Sequence, residues 1–343
     1  MVLDILDEMY QAFEFAPRLY QPSPFWRELN SEHTKRLNCW HFSNFKRTVA
    51  TKYFNWTLLG IVAHQFTPIA LHWLFQPDWA VFRTYLPNYD TPKGPGIQHF
   101  DPASALLYKL YVAMLAYYVA QRDRLKLLER FEEPEIGNPW RISYRDRWMS
   151  QDLCNSIYEF YSTGADTIDP RSPAQIAELG AGYGRLAYVF LKTLQNASYT
   201  IIDIPPALYI SQEYLSQVFS EEHIFRFRPF QHYDEIREEF EAARIRFVMA
   251  NQITLLPPKQ IDLFVTISSL HEMTYEQITH YLSEINRLTR GRFFTKQWRK
   301  SRAKQNNFVI RESEYPIPND WSLVRHRRHP IQSWFFESLY EIG

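Results

Sequence analysis

Apolar residues change their spacing near residue 165. Before it the recurrence is helical: Leu3, Leu6, Met9 and Tyr10, then Leu106, Leu107, Leu110, Tyr111, Met114 and Leu115. After it, short apolar runs alternate with helical stretches. A strand closes at Ile176 and Ala177, and a helix with Leu186, Val189, Phe190 and Leu194 on one face follows. The next strand spans 199–203 and the next helix 207–219. A charged connection, 223–244, contains EIREEFEAARIR, which reads as an exposed helix. Strands are then expected at 247–250 and 261–268. The second is almost continuously apolar, as a parallel strand covered on both faces must be. Thr274 and Gln277 form a T-x-x-Q capping box for a helix that carries Ile278, Tyr281, Leu282, Ile285 and Leu288 and is ended by Gly291. A fifth strand, 293–295, and a terminal antiparallel pair complete the sheet. The pattern predicts an α/β fold of parallel strands wound by helices, residues 166–343, behind a mainly helical domain, residues 1–165.

Within the first half, PNYDTPKGPGIQ, residues 87–98, is a loop by its prolines and glycines. Ile142, Tyr144 and Trp148 around Tyr144-Arg145-Asp146 suggest a short hairpin. Ser150 or Asp152 then caps a helix that runs toward the strand at 176. Arg141, Gln151 and Asn155 become candidates to line a site there, although surface polarity and capping explain each one equally well.

Three glycines, Gly180, Gly182 and Gly184, alternate between the first strand and its helix, where the backbone must turn tightly and let a ligand approach without a Cβ. A dinucleotide turn needs G-x-G-x-x-G, and Arg185 stands where its third glycine belongs. The pattern present is E-x-G-x-G-x-G, opened by Glu178. It resembles motif I of class I S-adenosylmethionine (SAM) methyltransferases, whose core is Rossmann-like, and an acid beside the turn suits a ligand carrying an ammonium and a sulfonium. Asp203, at the tip of the second strand, is placed to accept two ribose hydroxyls. Asn251 and Gln252, after the third strand, are placed for an adenine edge, or form a turn.

His271 and Glu272 follow the fourth strand, at the carboxyl edge where open α/β sheets bind ligands. An alcohol must lose its proton as it is methylated, and histidine is the side chain whose pKa suits that base. Glu272 either orients the ring or partners the next helix dipole. His271-Glu272 is not a zinc motif, because Tyr275 occupies the position of the second histidine, and no carboxylate cluster marks a metal. Arg325-His326-Arg327-Arg328-His329 is a phosphate-binding candidate or a solvated surface.

Composition narrows the partners. With 38 basic and 38 acidic residues the net charge is zero, which argues against nucleic acid or anionic membrane bound by bulk charge. The apolar stretches 55–75 and 104–121 are interrupted by polar residues and read as buried helices rather than membrane spans. Two distant cysteines, Cys39 and Cys154, and an acidic N-terminus without a signal-peptide pattern point to a reducing cytoplasm. Aromatic residues make up 17% of the chain and leave a homodimer open.

IAELGAGYGRLAYVFLK, IIDIPPALYISQEYLS, ISSLHEMTYEQI, FFTKQW and YPIPNDW, with SQDLCNS upstream, together resemble the sugar O-methyltransferases of bacteria and archaea. The resemblance runs from about residue 132 to 343. It implies SAM as donor, a hydroxyl of a sugar, sugar nucleotide or glycan precursor as acceptor, Glu178, Gly180, Gly182, Gly184 and Asp203 as cofactor residues, and His271 as base. A small phenolic or natural-product acceptor uses the same base, and a SAM-binding protein without turnover is the reading from outside the enzymes.

Overall fold

The computed structural model describes residues 2–50, 65–87, 100–301 and 309–343. The loop expected at 87–98, beyond its first residue, and the first part of the stretch 55–75 lie outside them. Among the described residues the α-helices of six residues or more are α1 (Val2–Glu14), α2 (Pro24–Trp40), α3 (Thr67–Phe75), α4 (Pro102–Ala120), α5 (Gln151–Ser162), α6 (Arg185–Thr193), α7 (Ala207–Val218), α8 (Arg237–Ala242) and α9 (Tyr275–Leu288). Strands are β1 (Ile142–Tyr144), β2 (Arg147–Met149), β3 (Ala174–Leu179), β4 (Ala197–Asp203), β5 (Ile224–Phe225), β6 (Ile245–Met249), β7 (Ile261–Ile267), β8 (Thr289–Trp298), β9 (Ser322–Arg328) and β10 (Phe335–Glu341).

The chain forms two compact units. One comprises Met1–Glu32, Ile168–His329 and Trp334–Gly343; the other comprises His33–Thr167 and Pro330–Ser333. The sequence boundary at 165 therefore misassigns the first 32 residues. Leu6, Met9 and Phe13 of α1 are buried in the sheet unit, packed toward α7. A 3.6-residue period reports that a helix has an apolar face, not which core receives it.

The sheet order is β5-β6-β4-β3-β7-β8-β10-β9. β3 pairs in parallel with β4 on one side and β7 on the other. β10 runs antiparallel between β8 and β9, which is the expected terminal pair. This is a doubly wound, Rossmann-like sheet whose order reverses at β3, the switch point beside which such sheets bind their ligands. β4 is buried along its whole length, and β7, as its apolar run requires, at all but one position.

Three expectations are corrected here. Gly291 does not end a helix: α9 stops at Leu288 and Gly291 lies in β8, where a Cβ would sit 2.3 Å from the Asp262 carbonyl oxygen. The glycine lets β8 run close to β7, and β8 is longer than the three residues expected. The exposed helix is only α8, because Ile245 and Arg246 already belong to β6. β5, two residues inside the charged connection, was not foreseen; a strand so short has no measurable period.

In the second unit the hairpin β1–β2 forms around Arg145 and Asp146, both at positive φ, the geometry of a two-residue turn. Ser150 caps α5 by accepting the Leu153 N–H. Gln151 and Asn155 are buried on α5, and Arg141 pairs with Glu135. α4 is long and apolar enough to cross a membrane by length and composition, and half of that stretch is buried. Tyr111, Val112 and Leu115 lie in its core.

Candidate active site

At the tip of β3 the chain turns through Gly180, Gly182 and Gly184, all at left-handed φ (+74°, +62° and +83°). The space that a side chain at Gly180 would need is already filled: its Cβ would lie 2.2 Å from Ser269 Oγ. The turn and the segment after β7 therefore touch. The Gly180 N–H donates to the Ile202 carbonyl (2.9 Å) and the Gly182 N–H to Asp203 Oδ2 (3.0 Å), so the turn is also tied to the tip of β4. Glu178 is buried in β3, where the Tyr199 hydroxyl donates to its Oε2 (2.7 Å).

Asp203 is buried and each of its oxygens accepts one backbone N–H, Oδ2 from Gly182 and Oδ1 from Ile204 (2.8 Å). Burial pushes its carboxyl up to about 7, the Glu272 charge adds to the rise, and the two N–H groups oppose it. Each oxygen keeps a further lone pair for a hydroxyl donor.

Asp203 is paired in register with Met249 at the tip of β6. Met249 and Asn251 line a cavity of about 520 Å³, walled also by Glu8 and Gln11 of α1, Phe227 and Phe230. The cavity lies beside Asp203 rather than over the turn; neither the glycines nor Asp203 line it. Asn251 Oδ1 is buried with no hydrogen-bond partner among the described residues. Gln252 also lines the cavity, but both ends of its amide are used: Oε1 accepts the Met249 N–H (3.0 Å) and Nε2 donates to the Arg228 carbonyl (2.9 Å). Its visible role is to hold the wall.

His271 stands beyond β7. The chain leaves that strand through Ser268, a non-glycine residue at φ +58°, and a single 3₁₀ turn, Leu270–Glu272, carries the imidazole inward. The ring is 2% exposed and stacks on Trp298 (4.9 Å between centroids, 18° between planes), with Phe335 edge-on. The Gln297 amide donates through Nε2 to the Thr266 carbonyl and Thr295 Oγ1, which turns Oε1 toward His271 Nδ1 at 3.0 Å. Trp298 N lies 3.3 Å from the same nitrogen. Nδ1 thus faces an acceptor, Gln297 Oε1, and a donor, the Trp298 N–H, and these two contacts call for opposite tautomers. Nε2 faces Glu272 Oε1 at 3.5 Å. Burial raises the Glu272 carboxyl, and His271 opposes the shift. Gln297, Trp298 and Ser269 were not assigned from the sequence. Nothing in a local motif shows that β8 ends beside β7 with these side chains turned inward.

Among the described residues no three His, Cys, Asp or Glu side chains gather as a metal site. The basic run 325–329 lies on and just beyond β9, where Arg327 Nε donates to Glu337 Oε1 (2.6 Å), with Arg325 and His329 within 4.0 Å of the same carboxylate. Glu337 is fully buried, so part of the run balances an interior charge.

No family profile matches the chain and no curated protein matches it. Solved structures give distant likenesses. Magnesium protoporphyrin IX methyltransferase of Synechocystis PCC 6803, solved with bound SAM, aligns at 13% identity over 56% of this chain and 79% of its own, with a TM-score of 0.40. Mitomycin 7-O-methyltransferase aligns at 14% over 56% and 54%, TM-score 0.38. A SAM-dependent methyltransferase of Aquifex aeolicus aligns at 11% over 66% and 98%, TM-score 0.35. Likenesses this distant say nothing of the reaction; the fold class rests on the strand order and the glycine turn.

Proposed function

We propose that this chain is a SAM-dependent O-methyltransferase that acts on a hydroxyl of a sugar, sugar nucleotide or glycan precursor. One observation carries the donor assignment: the glycine turn is hydrogen-bonded through Gly182 to an acid, Asp203, which neighbours a cavity with an unpartnered buried acceptor, Asn251. The residues fit SAM. Asp203 accepts the ribose hydroxyls, Asn251 Oδ1 accepts from the adenine amine, and Glu178 sets an acid beside the turn, the sign that a cationic ligand needs.

Bound SAM supplies an electrophilic methyl group on a sulfonium. The chain supplies the rest. The strand tips hold the reacting partners in one geometry. His271 Nε2 takes the acceptor proton, and Glu272 stabilises the imidazolium that results. The acceptor hydroxyl has to reach Nε2 beside Glu272. The sugar rests on the sequence resemblance, and a phenolic acceptor meets the same base.

A second reading, a SAM-binding protein without turnover, is favoured by the enclosure of His271 between Trp298 and Phe335. The first experiment is thermal unfolding with S-adenosylhomocysteine (SAH), SAM or NAD. A ligand at 100 times its Kd stabilises by about 2.7 kcal/mol, so SAH and SAM raise Tm visibly and NAD does not. A shift with NAD alone overturns the donor assignment.

A further inference from the structure

α1 and the segment that follows it, residues 15–23, form a strap held at α7 on one side and at α9 and Glu272 on the other. α1 packs toward α7 and forms one wall of the cavity through Glu8 and Gln11. Past α1, Gln21 Nε2 donates back to the Phe13 and Ala16 carbonyls (2.7 and 3.0 Å), which makes the turn after the helix a fixed piece. Tyr20 packs edge-on against His280 and Tyr281 of α9. Ser23 Oγ donates to the Glu272 carbonyl (2.8 Å).

Gln277 joins this strap to the start of α9. Its Oε1 accepts the Thr274 N–H (3.0 Å), as the capping box requires. Its Nε2 donates to two strap carbonyls, Leu19 (3.0 Å) and Gln21 (2.8 Å). A capping box uses only the acceptor. The second half of this amide does something else.

We propose that Gln277 is a positioning residue: by latching the strap to the first turn of α9, it holds α1 as the closing wall of the cofactor cavity. This rests on the proposed SAM site. Entry and exit of the cofactor then require the Gln277 amide to release the Leu19 and Gln21 carbonyls, and the same release loosens the Ser23 contact at Glu272.

Gln277→Glu separates the two roles. A glutamate keeps the acceptor for Thr274 but cannot donate to the strap. The SAH dissociation rate is expected to rise about tenfold, the equivalent of two lost neutral hydrogen bonds. Hydrogen exchange is expected to lose protection over residues 15–23 and keep it over α9, which reports an intact helix. Ser23→Ala moves both readouts the same way, about threefold for one bond, and decides the question where Gln277→Glu does not fold. An unchanged dissociation rate in a folded Gln277→Glu, or a strap equally protected with and without the latch, overturns the proposal. If the unsubstituted protein does not bind SAH at all, the donor assignment falls and the latch falls with it; if it binds SAH and the latch variants are indifferent, only the latch falls.

Discussion

The two ends of the candidate site touch at Gly180 and Ser269 but are built by different means. At the tips of β3 and β4 the functional groups are backbone and one carboxylate: three left-handed glycines, the Gly182 N–H and Asp203. At the tip of β7 they are side chains held by side chains: His271 stacked on Trp298, oriented by Gln297, facing Glu272. A backbone device is written within a few consecutive residues. A side-chain cage is assembled from three elements far apart in the chain, β7's exit turn, β8 and β10. Under the proposed function, the first end recognises the donor by shape and charge, and the second end holds the base.

The contrast breaks most sharply with His271→Ala. Turnover falls by about 10² to 10⁴, the worth of a positioned base, while SAH affinity measured by calorimetry stays within about twofold. If affinity falls with turnover, the two ends are one structural unit. Asp203→Ala does the reverse: SAH binding weakens by about 10- to 100-fold, as expected for hydrogen bonds to a charged group, and unchanged affinity sinks the ribose assignment.

Gly180→Ala tests the point where the ends meet. The substitution strains a positive φ and drives a methyl into Ser269, at a cost of about 1–3 kcal/mol in thermal stability. Ser269→Gly in the same chain recovers part of that loss, and no recovery means that the strain lies in the backbone alone.

The smallest effect is in pH. The Asp203 carboxyl is raised from 3.8 to about 7 in the folded protein. The folded state therefore holds its proton where the unfolded chain has lost it, so the free protein loses this contribution to stability as pH rises from about 4 to about 7. Hydroxyl donors favour the carboxylate, so SAH binding releases a proton below about pH 7 and tightens toward neutrality. Calorimetry in buffers of different ionisation enthalpy reads the release, and Asp203→Asn abolishes it.

The sequence was most informative where chemistry is local. The turn at Gly180, Gly182 and Gly184, the acid at Asp203, the capping box at Thr274 and Gln277, and the hairpin turn at Arg145 and Asp146 each occupy a few neighbouring positions, and each stands where the spacing put it. Gln297 and Trp298 were within a quoted motif but had no assigned role, because their meaning depends on β8 running beside β7. Gly291 was misread for the same reason: its constraint comes from the Asp262 carbonyl on another strand. The allegiance of residues 1–32 was hidden because amphipathicity names no partner.

The Gln277 contacts to Leu19 and Gln21 span 258 and 256 positions of the chain. At about 5–20 residues per second of synthesis, the strap waits roughly 10 to 50 s for the residue that fastens it. Throughout that interval Leu6, Met9 and Phe13 lack the α7 surface, or the completed sheet behind it, that buries them. The closing wall of the cavity is thus a late event in folding: it belongs to the slow, non-local class of contacts, and a newly made chain is sticky at this helix before it is competent at its site.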